Sequence, residues 1–244
     1  MPIQVRHQTH RGWFVRRAGA ALILGACYAS MVVSVDVHAQ AVAPATTPAA
    51  TATTATAAEL GKRAPEFSLT DTDGQTVSLS SLRGKTVVLE WFNPDCPFIK
   101  HAHTRGPLKD LPQKVASDKL VWLNINSNAP GKQGAGVERN KQAKAEYGIT
   151  HRILLDESGK VGRAYGAIKT PQLFVIDPKG VLVYRGGVDN APIGVVDDQR
   201  PHLPGHAKDK LETYLEYALA DLAARKPLRL ADTPPYGCTV KYAE

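Results

Sequence analysis

An α/β fold, a central mixed sheet with helices packed against it, is what this sequence of 244 residues predicts, and three observations carry the prediction. Val87 to Phe92 and Leu120 to Ile125 are short runs of apolar and β-branched residues, each of the length and composition of a buried strand. Val137 to Tyr147, closed by Gly148, reads as a helix with its C-terminal stop. Between Ala207 and Ala224, the recurrence of Leu211, Leu215, Ala218 and Leu222 gives a second helix one apolar face. Strands alternating with helices belong to the α/β class.

The N-terminal 39 residues are set aside from the fold. Arg6, Arg11, Arg16 and Arg17 precede the apolar run Ala18 to Val35, and Val37-His38-Ala39 offers small residues for cleavage, the pattern of a secretory signal. Leu24-Gly25-Ala26-Cys27 offers the competing reading of a lipidation site, which would anchor the chain to a membrane at Cys27. The apolar run continues well past Cys27, which favours cleavage after Ala39 and a periplasmic or otherwise exported protein. Cleavage removes four arginines and Asp36, so the formal charge of +7 falls to +4. That balance serves solubility and is no nucleic-acid footprint. Residues 40–58, almost all Ala, Thr and Pro with no charge and no bulky apolar side chain, read as a flexible linker.

The next 167 residues, 59–225, form one domain. Glu66 to Leu69 and Thr76 to Leu79 flank Asp73-Gly74 and predict a hairpin. After the strand at Val87, a helix is expected from Cys96 to between Pro107 and Leu111. Residues 127–136, rich in Gly and Pro, form a loop placed to cover a site and carry no phosphate-binding glycine pattern. Arg152 to Leu155 is a short strand and Gly159 to Tyr165 a short helix. Pro171 precedes the apolar run Leu173 to Ile176, and Asp177-Pro178-Lys179-Gly180 turns it back toward Val181 to Arg185. Tyr214 and Tyr217 are packing residues. Lys226 to Glu244 reads as an exposed C-terminal tail carrying Cys238.

The chemistry centres on Cys96. A cysteine at a helix start faces unpaired backbone N–H groups and the positive end of the helix dipole, which favour the reactive thiolate. Lys100, one turn on, adds to that. Strand, turn, Cys-Pro and helix together resemble the active-site segment of the thioredoxin superfamily, in its peroxiredoxin-like branch of alkyl hydroperoxide reductase/thiol-specific antioxidant (redoxin) proteins. The run Cys96-Pro97-Phe98-Ile99 puts Ile99 where thioredoxins carry a second cysteine. Counting back from Cys96, Asn93 and Leu89 occupy the places of the peroxiredoxin Thr and Pro.

The resemblance implies a thioredoxin-like fold with an added N-terminal hairpin, oxidoreductase activity of antioxidant type and no cofactor. It gives Glu90, six residues before Cys96, the part of a proton acceptor; the alternative is that strand alternation turns Glu90 to water or to a lysine. It makes Pro171 a cis-proline facing the cysteine, and it matches the Gly237-Cys238 ending to a resolving cysteine. Cys96 with Cys238 is then a redox couple, a permanent staple or two free thiols. The expected partners are a thiol or disulfide substrate, protein or small molecule, and a reductant. Two other functions stay open: a thiol-dependent peroxidase, and a non-catalytic or copper-binding module. For the latter, positions 96, 101 and 103 are expected on different faces of the helix, with His101 and His103 solvated or at most helping to stabilise the thiolate; His202 and His206 lie in a loop, and no metal site is assigned.

Overall fold

A computed structural model describes residues 58–190 and 212–244. The signal and lipidation readings, the linker reading up to residue 57, residues 207–211 of the last predicted helix, and His202 and His206 lie outside the described residues; Ala58, the last residue of the predicted linker, is buried. In chain order the elements are β1 (Ser68–Asp71), β2 (Thr76–Ser78), β3 (Thr86–Trp91), α1 (Pro97–Thr104), α2 (Leu111–Val115), β4 (Leu120–Asn126), α3 (Val137–Glu146), β5 (Arg152–Leu155), α4 (Lys160–Tyr165), β6 (Lys169–Thr170), β7 (Gln172–Ile176), β8 (Leu182–Gly186), α5 (Tyr214–Ala223) and β9 (Cys238–Thr239).

Seven strands form one mixed sheet in the order β2-β1-β5-β4-β3-β7-β8. β3, β4 and β5 run parallel, while β7 and β8 on one side and the β1–β2 hairpin on the other are antiparallel. The predicted N-terminal hairpin is therefore part of the main sheet, joined through the pairing of Asp71 with Leu154.

β3 is central and covered on both faces, which is why its sequence is apolar except at Thr86 and Glu90. Val87, Leu89 and Trp91 point into one layer with Phe67, Tyr165 and Phe174. There the rings of Trp91 and Phe174 meet edge-on at 4.9 Å. Val88 points to the opposite layer, where Ala102 of α1 and Leu215 and Ala218 of α5 close over the sheet. By the same alternation Glu90 and Phe92 face that second layer.

Two expectations about elements need correction. The helix that starts after Cys96 ends at Thr104, where Arg105 and Gly106 both donate to the His101 carbonyl; α2 follows as a separate short helix. The side chain that a Cβ would add at Gly106 would lie 2.9 Å from the Ala102 backbone, so the chain turns tightly against α1 at this point.

The C-terminal tail is the second correction. It is not an exposed appendage but is seated along the domain. Tyr236 packs with the α1/α5 layer, Cys238 with Cys96, and Val240 and Tyr242 with the layer on the other face of the sheet. Alternate residues of an extended segment thus fill three apolar clusters in turn, which is what its Tyr-x-Cys-x-Val-x-Tyr spacing provides.

Candidate active site

β3 delivers the chain to Asn93-Pro94-Asp95, and Cys96 follows as the N-cap of α1 with extended backbone (φ −79°, ψ 120°). Pro97 occupies the first helical position, where its missing N–H costs nothing. Asn93 accepts from the Asp95 N–H at 3.0 Å, and the Cys96 N–H donates to the Asn93 carbonyl at 3.0 Å. No side chain caps α1, so its first free N–H groups are left on the side of the cysteine.

The glycine-rich loop and α3 hold this turn from outside. Arg139 donates to the Asp95 carboxylate at 2.7 Å, Tyr147 to the Pro94 carbonyl at 2.7 Å and Gln133 to the Asp95 carbonyl at 3.2 Å. The loop itself is pinned by buried amides: Asn126 donates to Gly134 (2.7 Å) and Asn140 to Gly136 (2.7 Å). Gly134 has φ +77°, and a Cβ there would lie 2.0 Å from the Asn93 side-chain oxygen. Loop and turn touch at that point because this residue has no side chain.

Cys96 is fully buried. Its thiol donates to the Thr170 carbonyl at 3.2 Å, and Thr170–Pro171 is a cis peptide, as expected for Pro171. Thr170 pairs with Cys238 in the two-stranded β6–β9 sheet. That pairing puts the half-buried Cys238 thiol against Cys96 as a hydrogen-bond partner, both cysteines being free. Burial first, then the hydrogen bond to Cys96 and its charge, push the Cys238 thiol up to about 12, against a smaller opposing pull from Lys241 and Lys169. At neutral pH the seated Cys238 thiol therefore keeps its proton. The two cysteines are 142 positions apart in the chain, and sequence alone gave no geometry for their meeting.

Glu90 is fully buried, which settles the alternation question against a solvent-facing carboxylate. One carboxylate oxygen meets His103 Nε2 at 2.7 Å, and the other accepts from the Trp122 indole at 3.2 Å. His103 is 2% exposed, contrary to the expectation of a solvated side chain. Cys96, Ile99 and His103 are three and seven positions apart, a single face of α1, so His103 does not point away from the cysteine's side of the helix. Both signals were in the sequence: the i, i+7 spacing, and a buried carboxylate in need of a cation. His101 is only partly buried, and burial, then Arg105, lowers its pKa. The polar group continues through Asn124, which accepts from Trp122 (3.2 Å) and from His151 (2.9 Å). Burial, then the charges of His103 and Lys144, lower the His151 pKa to about 3, so this imidazole is neutral.

A mixed sheet, a cysteine at the mouth of the helix after its central strand and a cis-proline facing that cysteine define a thioredoxin-like protein. The redoxin family model matches residues 59–199, and the chain belongs to that family. Among relatives, it is 30% identical over 126 residues to the thiol-disulfide oxidoreductase ResA of Geobacillus thermodenitrificans, covering 51% of this chain and 67% of that protein. To the chloroplastic peroxiredoxin Q of Triticum aestivum it is 29% identical over 131 residues, 51% of this chain and 57% of that one. Among solved structures, the hypothetical protein SMc02350 from Sinorhizobium meliloti 1021 superposes with a TM-score of 0.62 at 28% identity, over 76% of this chain and 95% of that chain. ResA and peroxiredoxin Q bear the names of oxidoreductases, and the fold is the one thiol-disulfide oxidoreductases use.

Proposed function

We propose that this protein is an exported thiol-disulfide oxidoreductase of antioxidant type in which Cys96 attacks and Cys238 resolves. The observation that carries the reading is the juxtaposition of the two sulfurs, one at the N-terminus of α1 and the other on a strand paired to Thr170. In the forward direction the Cys96 thiolate attacks one sulfur of a substrate disulfide. The S–S bond breaks, the far sulfur leaves as a thiolate, and a mixed disulfide forms on Cys96. Cys238 then attacks the Cys96 sulfur of that mixed disulfide, its proton passing to the departing substrate thiolate. The substrate has gained two electrons and the protein holds a Cys96–Cys238 disulfide, which a dithiol reductant returns to two thiols. Glu90, with His103 beside it, is in this reading the buried proton acceptor of the site, and Pro171 shapes the groove in which the substrate sulfur approaches. Export rests on the N-terminal arginines and apolar run.

The test is a redox titration of the purified protein with alkylation of free thiols and location of the labels by peptide mass. A Cys96–Cys238 disulfide that opens above about −300 mV supports a working couple; one that resists reduction below that is a staple and ends the catalytic reading. The similarity to peroxiredoxin Q favours a second reading, a thiol-dependent peroxidase in which peroxide oxidises Cys96 to a sulfenic acid, releasing water, and Cys238 condenses with it to the same disulfide with loss of a second water. Consumption of hydrogen peroxide with a dithiol reductant separates the two.

A further inference from the structure

We propose that the C-terminal strand is a plug seated over Cys96, and that the sulfur of an outside substrate reaches Cys96 only after residues 237–242 leave β6. The inference rests on Cys96 being the reactive sulfur but not on its forming a couple with Cys238. Displacement at sulfur needs the incoming atom in contact with Cys96 and in line with the breaking bond. Cys96 is 0% exposed; its thiol meets the Thr170 carbonyl and Cys238, and the apolar cluster it belongs to includes Phe92, Ile99, Ile153 and partly buried Phe98. Phe92 continues β3 and hydrogen-bonds to Ile125 of β4, Phe98 and Ile99 lie in α1 and Ile153 in β5, whereas Cys238 sits on a two-residue strand that pairs with the equally short β6. Cys238 is half-buried, and burial raises its thiol pKa, which makes it a weak nucleophile while it is seated.

The plug has identifiable fastenings on both sides of the sulfur. Before it, Gly237 has φ +114°, and a Cβ there would lie 2.1 Å from the Thr170 carbonyl oxygen, so the strand reaches Thr170 only because this residue is glycine. After it, the Val240 N–H donates to Ile168 (3.2 Å), Lys241 N–H to the Asn128 side chain (3.0 Å), and Ala129 N–H to the Lys241 carbonyl (2.8 Å). Tyr242 closes the series: its hydroxyl donates to Ala167 at 2.7 Å, and its ring lies in the space left bare by Gly159 and Gly162, under the Arg163 guanidinium. Asn128 also donates to Gln133 in the glycine-rich loop, so loop and tail share a fastening. The Cys96 of a protein so built is silent until the tail opens, whatever substrate or reductant is present.

The experiment follows the alkylation of Cys96 in the fully reduced full-length protein by iodoacetamide, with peptide mass identifying the labelled cysteine. Redox turnover plays no part in it, so failure of the Cys96–Cys238 couple and failure of the plug give different results. Tyr242→Ala removes the terminal fastening and Gly237→Ala forces the strand off Thr170; each is expected to raise the Cys96 rate about tenfold or more through a larger open population. Rates unchanged in both variants, or a wild-type Cys96 that alkylates as fast as in the urea-unfolded chain, overturn the proposal. If either variant no longer unfolds cooperatively, hydrogen exchange in the wild-type protein decides. The plug requires the Val240 and Lys241 amides to exchange through the same opening that admits iodoacetamide to Cys96. Tail amides protected well beyond the level at which Cys96 is alkylated overturn it.

Discussion

Acidification from pH 7 to pH 5 is expected to cost this protein about 2 kcal/mol through His151 alone. Its Nε2–H donates to Asn124, while Nδ1 is buried without a partner, and burial lowers the pKa from 6.5 to about 3. The sign follows from where the protons go. Below about 6.5 the unfolded chain binds a proton at this imidazole and the folded protein does not, so the unfolded state is favoured as pH falls, down to about 3. At pH 5 the unfolded imidazole is nearly all protonated and the folded one is not. The free-energy difference gained between pH 7 and pH 5 corresponds to about 1.4 pK units, each about 1.4 kcal/mol. Urea denaturation of wild type and of His151→Gln at both pH values isolates the effect, since glutamine keeps a donor toward Asn124 and does not titrate. The wild type should lose about 2 kcal/mol more than the variant across this range. Equal losses would refute the neutral, buried imidazole.

Removing the partner of Glu90 is a harsher change. His103→Leu leaves a buried carboxylate with the Trp122 indole alone and should cost about 3–5 kcal/mol in urea unfolding, while the double variant Glu90→Leu/His103→Leu should recover much of it. Gly134→Ala places a Cβ on the Asn93 amide in a left-handed backbone and should lower stability by about 1–3 kcal/mol, read as a fall in the thermal midpoint. Cys238→Ser, treated with a small disulfide, should accumulate a mixed disulfide on Cys96 visible by intact mass; a variant that returns to the free thiol without added reductant would remove Cys238 from the resolving role. Tyr184→Phe deletes a hydroxyl that donates to Gly187 and meets Thr233 Oγ1 at 2.8 Å, leaving buried acceptors behind the tail, and should cost about 1–3 kcal/mol by the same unfolding assay.

The parts of this protein written locally were legible from residues alone. The strands at Val87 and Leu120, the hairpin around Asp73-Gly74, the helix closed by Gly148 and the cysteine at a helix start follow from periodicity, turn chemistry and spacing, which act over a few residues. The helix from Cys96 is shorter than the sequence predicts because Gly106, and the double acceptance by the His101 carbonyl, end it through a tertiary fit against Ala102 rather than through a sequence stop. The burial of the tail escapes the sequence pattern for a related reason. Three prolines and few regular contacts look like loose chain, yet its alternate residues fill clusters built by β3, α1 and α4, distant in sequence.

What the sequence by itself determined, then, is a strand-turn-cysteine-helix unit, a proline before a buried strand, a second cysteine near the end and a carboxylate inside the central strand. Only the tertiary structure decided what each of them meets. Glu90 faces His103 rather than water because β3 is covered on both faces, so alternation had no solvent side to offer it. Cys238 meets Cys96 because β9 pairs with Thr170, a contact whose register is set by backbone hydrogen bonds and by the bare Cα of Gly237. Backbone pairing between segments far apart in the chain leaves almost no mark on side-chain pattern, and so it is settled in three dimensions or not at all.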